Sequence, residues 1–385
     1  MRMTRLFQNF FDSEKASGVV LLLCTGLSLL LTNSVLGETY TGLWHISLGG
    51  HPLEFWINDG LMTIFFLMVG LELEREVYIG ELSQRRQAML PAIAALGGMV
   101  VPAGIHAVLN FGTSTSAGAG IPMATDIAFA IGILSLLGSR VPVSLKIFLT
   151  ALAVIDDLGA IITIAVFYSS DLSLMDLGIA GGIFAVLGAL NRLKVLALWP
   201  YLLLGAIMWI FMLRSGVHAT ISGVLLAFVI PFGTGNAKSI SYRLQNFLHK
   251  PVAFVIMPLF ALANTCIVFG GEWSSELFSS NSVGIFLGLV IGKPLGIALF
   301  SGVAVAVGWC VLPGDVRWKD LIGVGFLGGI GFTMSIFITL LAFDDPHTIV
   351  HAKTAILIAS FAASLAGGTW LTLALRRARK RRVRS

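Results

Sequence analysis

Two adjacent acids lie within an apolar stretch that is long enough to cross a membrane. Asp156 and Asp157 stand near the middle of LTALAVIDDLGAIITIAVFYS, residues 149–169. A charged side chain at the bilayer centre costs about 2.5 to 3.5 kcal/mol on insertion scales, so such residues usually mark an ion pathway, a proton relay or a charge pair. Neighbouring residues of a helix point about 100° apart. We therefore expect the two carboxylates to face different partners and to have separate roles on one water-accessible cavity.

A third acid lies in a segment that proline interrupts. Asp126 follows Thr125 in GIPMATDIAFAIGIL, where Pro122 breaks the helical pattern. Free backbone groups at such a break are tolerated at membrane depth only where they line a cavity or are buried in protein. One interpretation is that Thr125 and Asp126 only cap the following helix. The other, which we favour, is that they line a site.

A basic residue is also placed deep in an apolar segment. Lys293 lies in GLVIGKPLGIALF, about ten residues inside its segment, which is too deep for its ammonium group to reach the membrane surface easily. It needs an anion or helix carbonyl groups nearby. Lys293 is either a structural counter-charge to one of the aspartates or a functional partner, and both interpretations fit the sequence.

The composition places these residues in an integral membrane protein. Of the 385 residues, 56% are hydrophobic and only 12% are charged, whereas a soluble domain has about 25% charged residues. Segments of roughly 20 apolar residues recur almost end to end, which predicts an all-α membrane protein with about twelve transmembrane helices. The predicted segments are 17–33, 58–79, 88–110, 121–138, 144–168, 175–191, 197–213, 216–231, 250–270, 283–309, 320–342 and 352–375.

The basic residues predict the orientation of the chain. Its net charge of +5 does not indicate a nucleic-acid partner, because Lys and Arg are concentrated in alternate loops and in the C-terminal tail. Cytoplasmic loops carry the excess of Lys and Arg, so we expect both termini to be cytoplasmic. The chain then divides into a cytoplasmic segment (1–16), one transmembrane domain (17–376) and a basic cytoplasmic tail (377–385). The basic loop residues are Arg85, Arg86, Arg140, Arg192, Lys194, Lys238, Arg243, Arg317 and Lys319.

The polar groups favour a hard cation. Carboxylate, hydroxyl and backbone carbonyl oxygens suit hard ions, and no His or Cys cluster with transition-metal spacing is evident. Burial disfavours an ionised carboxylate, so the same oxygens can hold a proton or a sodium ion, but not both. With Asp156 and Asp157 as metal ligands, a site that opens alternately to each side exchanges one ion for the other. The residues predict an antiporter without a cofactor, not an enzyme.

Glycine interrupts a second apolar segment, near the end of the chain. GVGFLGGIGFTMS lies within 320–342, and interrupted segments in the two halves of a chain point to the central site of a transporter. We expect the spans at 88–168 and 283–375 to form the core, and the remaining spans to form the interface part.

Several motifs are distinctive as whole stretches. They are WINDGLMTIFFLMVGLELERE, IPMATDIAFAIGILSLLGSRVPVSLKIFLTALAVIDDLGAI, SGVHATISGVLLAF, PLFALAN, IGKPLG and GIGFTMSIFI. Together they resemble the NhaA sodium/proton antiporters of bacterial inner membranes, and the resemblance runs nearly from end to end. It implies twelve helices in NhaA-type inverted repeats, with broken helices near 121–138 and 320–342 that cross at mid-membrane. That architecture is implied by the resemblance and is not worked out from the residue pattern.

The resemblance also implies roles for the intramembrane residues. It implies that Asp157 and Asp156 bind the ion and the protons, and that Asp126 and Thr125 lie at the crossing. Lys293 either offsets helix-end charge or pairs with Asp156. Members of the family export one Na⁺ or Li⁺ for two protons taken in, which makes the exchange electrogenic and controls intracellular sodium and pH. They commonly form homodimers through an outer hairpin, which here corresponds to ISLGGHPLEFW with its Gly-Gly turn.

Members of the family respond to pH through a cytoplasmic cluster of charged residues, and this chain matches the first part of that cluster. Glu72, Arg75 and Glu76 have the spacing of one helix face. Without the resemblance, the simpler interpretation of these three is a solvated helix end. The second part of the cluster corresponds to SYRLQNFLHK in this chain, where the titratable residue His249 is still present.

Two positions of that second part depart from the family pattern. Gln245 and Asn246 stand where the best-known members have an acid and a histidine. His218 is expected to be either a pH-sensing residue or a satisfied interfacial histidine. Asn58 and Asp59 are expected to cap the second predicted segment, 58–79.

Two other classes of function compete with antiport. An intramembrane aspartyl protease could use Asp126 with Asp156 or Asp157, but its G-x-G-D stretch is missing and its chemistry gives no use for Lys293. A passive cation channel lined by acids is the second alternative. The adjacent acids and the broken helices fit alternating access better than a continuous pore.

Overall fold

The computed structural model describes residues 5–138, 141–169, 172–268 and 277–382. Apart from one two-stranded hairpin, the regular structure of this part of the chain is helical. In chain order the helices are α1 (Arg5–Thr32), α2 (Gly37–Trp44), α3 (Leu53–Tyr78), α4 (Arg85–Leu109), α5 (Ile127–Leu136), α6 (Val143–Phe167), α7 (Leu174–Arg192), α8 (Trp199–Arg214), α9 (Ile221–Val229), α10 (Ile240–Asn264), α11 (Ser280–Ala306), α12 (Trp318–Gly328), α13 (Phe332–Ala342) and α14 (Pro346–Arg382).

Irregular turns interrupt or precede several of these helices. Helices α3, α10 and α11 each contain a π-helical turn, at Trp56–Leu61, Val252–Ile256 and Gly288–Gly292. Short 3₁₀ helices at Glu81–Ser83 and Ser116–Met123 precede α4 and α5. Such turns are frequent at functional sites because they redirect side chains without ending the helix.

The lengths and apolarity of the helices identify a multi-pass membrane protein. Within the described ranges, eight helices are long and apolar enough to cross a membrane. Helices α12 and α13 pass the same test only as a pair, and they are bent by 47° at the break between them. The segments Ala16–Thr32 and Trp199–Arg214 are apolar but shorter. The prediction of an all-α membrane protein is confirmed at this level.

Each of the predicted apolar segments coincides with helical structure, but the ends differ. Helix α1 begins at Arg5, well before the predicted start at 17. Helix α9 spans only Ile221–Val229 of the predicted segment 216–231. Hydropathy marks the residues that suit hydrocarbon, whereas backbone hydrogen bonding sets the helix ends. Some predicted features lie outside the described residues: 1–4, Arg140, the end of 250–270, and 383–385.

The loop between α2 and α3 contains the hairpin that its sequence indicates. Strands β1 (Ser47–Leu48) and β2 (His51–Pro52) pair in antiparallel register. Gly49 and Gly50 form the turn with φ of 62° and 89°, a left-handed conformation that glycine adopts without strain.

Helices α4 and α11 approach each other closely. A Cβ at Gly296 would collide with the backbone carbonyl of Gly97, so this crossing requires glycine at both helix surfaces. One helical turn before Gly296, the side chain of Lys293 passes over Gly98. The close approach of the two helices therefore encloses the lysine in the protein interior.

Candidate ion-binding site

The two broken segments meet at their breaks. The backbone N–H of Asp126 donates to the carbonyl oxygen of Ile330 at 2.6 Å, and the hydroxyl of Thr125 donates to the carbonyl oxygen of Gly328 at 2.8 Å. Ser335 Oγ of α13 donates to the carbonyl oxygen of Ile121 at 2.7 Å. The backbone groups freed by one break are thus satisfied by the other, as buried irregular backbone requires.

Asp126 is both a helix cap and part of this contact. It is the N-cap of α5, where its Oδ1 accepts the N–H of Phe129 at 3.1 Å. Its Oδ2 accepts the N–H and the hydroxyl of Thr333, at 3.2 and 2.5 Å. The N-termini of α5 and α13 therefore both point at one carboxylate, where their partial positive charges favour an anion. The prediction that Asp126 caps the following helix is confirmed, whereas its place in an ion site stays a prediction.

Asp156 is held by a base and a hydroxyl. Its Oδ2 lies 2.5 Å from Lys293 Nζ and accepts the hydroxyl of Thr125 at 2.7 Å. The side chains of Asp156 and Lys293 are 0% exposed, so this ion pair is fully buried. The other oxygen of Asp156, Oδ1, has no hydrogen-bond partner among the described residues. The anion that Lys293 needs is thus Asp156.

Asp157 faces a different environment. It is 3% exposed, and its Oδ1 has no hydrogen-bond partner in the described part of the chain. It lines a cavity of about 40 Å³, whereas a single water needs roughly 10 to 15 Å³. The cavity is lined by Phe65, Met68, Glu72, Thr125, Asp126, Ile127, Ala128, Asp157, His249, Val252, Ala253, Met257, Thr333 and Met334.

The predicted pH-regulation residues divide between this cavity and other places. Glu72 and His249 line the cavity together with Asp157. The Arg75 guanidinium lies over the ring of Tyr242, 5.2 Å from its centroid, and so links α3 to α10. Glu76 is not among the residues that line the cavity, and it takes no part in the contact between Arg75 and Tyr242. His218, between α8 and α9, does not line the cavity, and burial lowers its pKa.

Sequence reasoning missed two polar residues of this region. Thr333 lies within GIGFTMS, and its position two residues after the last of several glycines was the available signal. Glu74, between Glu72 and Arg75, was not among the predicted site residues. It is buried, and its Oε2 has no hydrogen-bond partner among the described residues.

The site as a whole offers hard oxygen ligands and one buried base. Carboxylates of Asp126 and Asp157 and the hydroxyls of Thr125 and Thr333 line one cavity, and oxygens of these kinds suit hard cations such as sodium. Asp156 lies behind them in its ion pair with Lys293. Buried carboxylates beside broken helices in a multi-pass membrane protein define a transporter of small cations.

Comparison with known proteins identifies the kind of transporter. The family described as Na⁺/H⁺ antiporter 1 matches residues 8–371. The Na⁺/H⁺ antiporter NhaA of Cytophaga hutchinsonii is 62% identical over 376 residues, which are 98% of this chain and 97% of that protein. The protein of the same name from Flavobacterium psychrophilum is 63% identical over 367 residues, 95% of this chain and 96% of the relative.

A relative from another organism gives the same result. The Na⁺/H⁺ antiporter NhaA of Dechloromonas aromatica is 61% identical over 375 residues, covering 96% of each chain. The chain belongs to the Na⁺/H⁺ antiporter 1 family. It is a Na⁺/H⁺ antiporter and not an enzyme, as its sequence predicted.

Proposed function

We propose that this protein exchanges sodium for protons at Asp157 and Asp156, with Asp157 as the ligand that meets the incoming ion. The observation that carries the proposal is the unequal state of the two carboxylates. Asp156 is bound to Lys293, whereas Asp157 faces the cavity with an oxygen that has no partner in the described residues. A buried carboxylate in this state is stabilised either by a proton or by a cation.

The neighbouring groups have distinct roles in this proposal. Lys293 neutralises Asp156, so that Asp157 is the member of the adjacent pair without a counter-charge from Lys293. Thr125 joins Asp156 to the carbonyl of Gly328 and thereby couples the ion site to the break before α13. Asp126 joins the N-termini of α5 and α13 and supplies a further carboxylate to the cavity.

In this proposal, alternating access follows from the division of the chain into a core and an interface part. We propose twelve transmembrane helices with both termini cytoplasmic, and a core at 88–168 and 283–375 whose inverted repeats place the two breaks at mid-membrane. The described contacts between the breaks support this arrangement. Two polar contacts join the proposed core to the interface helices. Lys353 of α14 donates to Asn264 Oδ1 of α10 at 3.4 Å, and Asn264 donates to Asn58 Oδ1 of α3 at 2.7 Å.

Those contacts also correct one expectation. Asn58 and the adjacent Asp59 had the residue types of a helix cap, but helix α3 begins earlier, at Leu53, and both residues lie in its π-helical turn. The interior position lets Asn58 pair with Asn264. Lys353, an exception to the charge bias of the loops, donates to the same amide.

The family membership supports the remaining features of the proposal. We propose electrogenic exchange in the bacterial inner membrane, with lithium accepted in place of sodium, and a homodimer formed through the β1–β2 hairpin. Glu72 and His249 line the cavity that contains Asp157, which supports regulation by cytoplasmic pH through Glu72, Arg75, Glu76 and His249. His218 is a further pH-regulation residue in the proposal.

Exchange in vesicles tests the proposed function. Purified protein is reconstituted with an internal pH dye, an inward-acid gradient is imposed, and Na⁺ is added outside. We expect sodium-dependent recovery of the dye signal, and lithium should give the same response. Sodium flux that persists unchanged when the pH gradient is dissipated would instead support a channel. Peptide cleavage without dye recovery would support the protease.

A further inference from the structure

Two histidines lie one helical turn apart at the start of α14. In HTIVH, His347 and His351 have the i, i+4 spacing that places side chains on one helix face. His347 Nδ1 and His351 Nε2 are 3.3 Å apart, with ring centroids 5.4 Å apart and ring planes at 34°. His347 is exposed and His351 is half-buried, so the pair is open to solvent. None of this belongs to the cavity of Asp157.

The distance between the two nitrogens matches that of two ligands on one metal ion. Zinc binds imidazole nitrogen at about 2.0 to 2.1 Å in tetrahedral geometry, which separates two such nitrogens by about 3.4 Å. The rings of His347 and His351 already have nearly that separation. A metal can therefore be bound with little movement of the backbone, because the helix fixes both Cα positions.

The adjacent charge also favours a cation. Asp345 caps α14, where its Oδ2 accepts the N–H and the hydroxyl of Thr348 at 2.9 and 2.7 Å. Asp345 therefore places an acidic side chain in the turn that precedes His347. Asp344 adds a second exposed acid to the same turn.

We propose that His347 and His351 form a two-imidazole site for a divalent transition metal ion of the Zn²⁺, Ni²⁺ and Cu²⁺ class. Imidazole suits these ions, whereas Mg²⁺ and Ca²⁺ require oxygen ligands. No group of three or more His, Cys, Asp or Glu side chains within the described ranges could hold a metal. The site therefore has two protein ligands, and water completes the coordination.

The expectation that no His or Cys cluster has transition-metal spacing agrees with the absence of such a group among the described residues. A single i, i+4 pair of histidines on a helix provides two ligands without a larger cluster. The inference does not depend on the proposed exchange, since none of the residues that line the cavity lies on α14.

Titration of the purified full-length protein tests the proposal. The protein is purified in detergent with a cleaved tag that contains no histidine, and Zn²⁺, Ni²⁺ and Mg²⁺ are each titrated by calorimetry. We expect one equivalent of Zn²⁺ or Ni²⁺ and no heat from Mg²⁺. Loss of either imidazole, in His347→Ala or His351→Ala, should weaken binding by about tenfold or more, because chelation by two linked ligands is lost.

Two controls separate the pair from the number of histidines. His45→Ala removes an exposed histidine elsewhere and should leave binding unchanged. The double variant H347A/V350H keeps the histidine count but puts the two imidazoles on adjacent residues, about 100° apart on the helix, so it should bind as weakly as His347→Ala. Val350 is exposed, so this change is compatible with folding. Equal affinity in wild type, His347→Ala and H347A/V350H would overturn the proposal.

Discussion

The neighbouring carboxylates of Asp156 and Asp157 have opposite surroundings on the two sides of helix α6. On one side, Asp156 is bound by Lys293 and by the hydroxyl of Thr125, and no exposed surface remains. On the other side, Asp157 is almost equally buried but faces a cavity, and its Oδ1 has no hydrogen-bond partner among the described residues. Burial is therefore not what distinguishes the two acids. The difference is whether the protein itself supplies the counter-charge.

In the proposed exchange, that difference gives the two acids separate roles. A buried ion pair is costly to break, because the remaining charge is left without compensation. Asp156 can hold Lys293 and Thr125 in place while its neighbour exchanges ligands. Asp157 can change its partner without disturbing that ion pair, since the two side chains leave the helix in different directions.

The largest expected effect is on Asp157. Asp157→Asn removes the only group of the pair that faces the cavity, so sodium-dependent proton exchange in vesicles should fall to the level of empty vesicles. The melting temperature should be unchanged or higher, because an unpaired buried carboxylate is replaced by a neutral group of similar size. Asp176→Asn is the matched control, since Asp176 pairs with Arg214 outside the cavity. Full exchange by Asp157→Asn would remove the distinction between the two acids.

On the other side of α6, the expected effect is on stability. Asp156→Asn or Lys293→Met leaves one buried charge unpaired, which should lower the free energy of unfolding by about 3 to 5 kcal/mol. The double variant D156N/K293M should recover most of this loss, because neither charge then remains. Fluorescence-detected melting of the four proteins measures the coupling. Additive losses in the double variant would show that the two groups do not act as a pair.

A smaller effect is expected where the two breaks meet. Thr333→Val removes the hydroxyl that donates to Asp126 at 2.5 Å, and hydrogen bonds to charged groups contribute about 1.5 to 3 kcal/mol. Thr339→Val is the control: Thr339 is buried in the same helix, but its hydroxyl donates only to the Ser335 carbonyl. The melting temperature should fall more for Thr333→Val than for Thr339→Val. Equal losses would mean that the Asp126 contact adds nothing to the crossing.

The smallest expected effect concerns pH and His218. Burial lowers the pKa of this imidazole, so the unfolded chain takes up a proton at a higher pH than the folded protein does. Stability should therefore decline as the pH falls below about 6.5, the value for an unperturbed histidine. His218→Gln should reduce this decline in melting temperature between pH 7 and 5, whereas the exposed-residue control His45→Gln should not. Identical pH profiles would exclude His218 as a pH-responsive group.

The positions of the helices and the acids could be predicted from sequence, because both depend on local composition. Apolar length located the helical segments, and the cost of intramembrane charge selected Asp126, Asp156 and Asp157. The π-helical turns and the early start of α3 at Leu53 could not be predicted, since they depend on packing between helices. For the same reason, Asn58 was expected to be a cap.

The pairing of residues within the site also could not be predicted from local sequence patterns. The sequence showed that Lys293 needs an anion, but only the fold selects Asp156 rather than Asp126 or Asp157. Glu72 and His249 were expected in a charge cluster, yet nothing in their spacing places them in one cavity with Asp157. The burial of Glu74 likewise depends on the packing of α3, because the charged residues around it, Glu72, Arg75 and Glu76, are typical of a solvated helix end.

Proton release upon sodium binding tests the central claim most directly. Sodium is added to purified protein in a weakly buffered detergent solution that contains a pH indicator, and sodium affinity is measured by calorimetry at several pH values. Competition at Asp157 predicts that protons are released as sodium binds, that sodium affinity rises with pH, and that Asp157→Asn releases none. Sodium binding with constant affinity across pH, without acidification of the solution, would contradict the account.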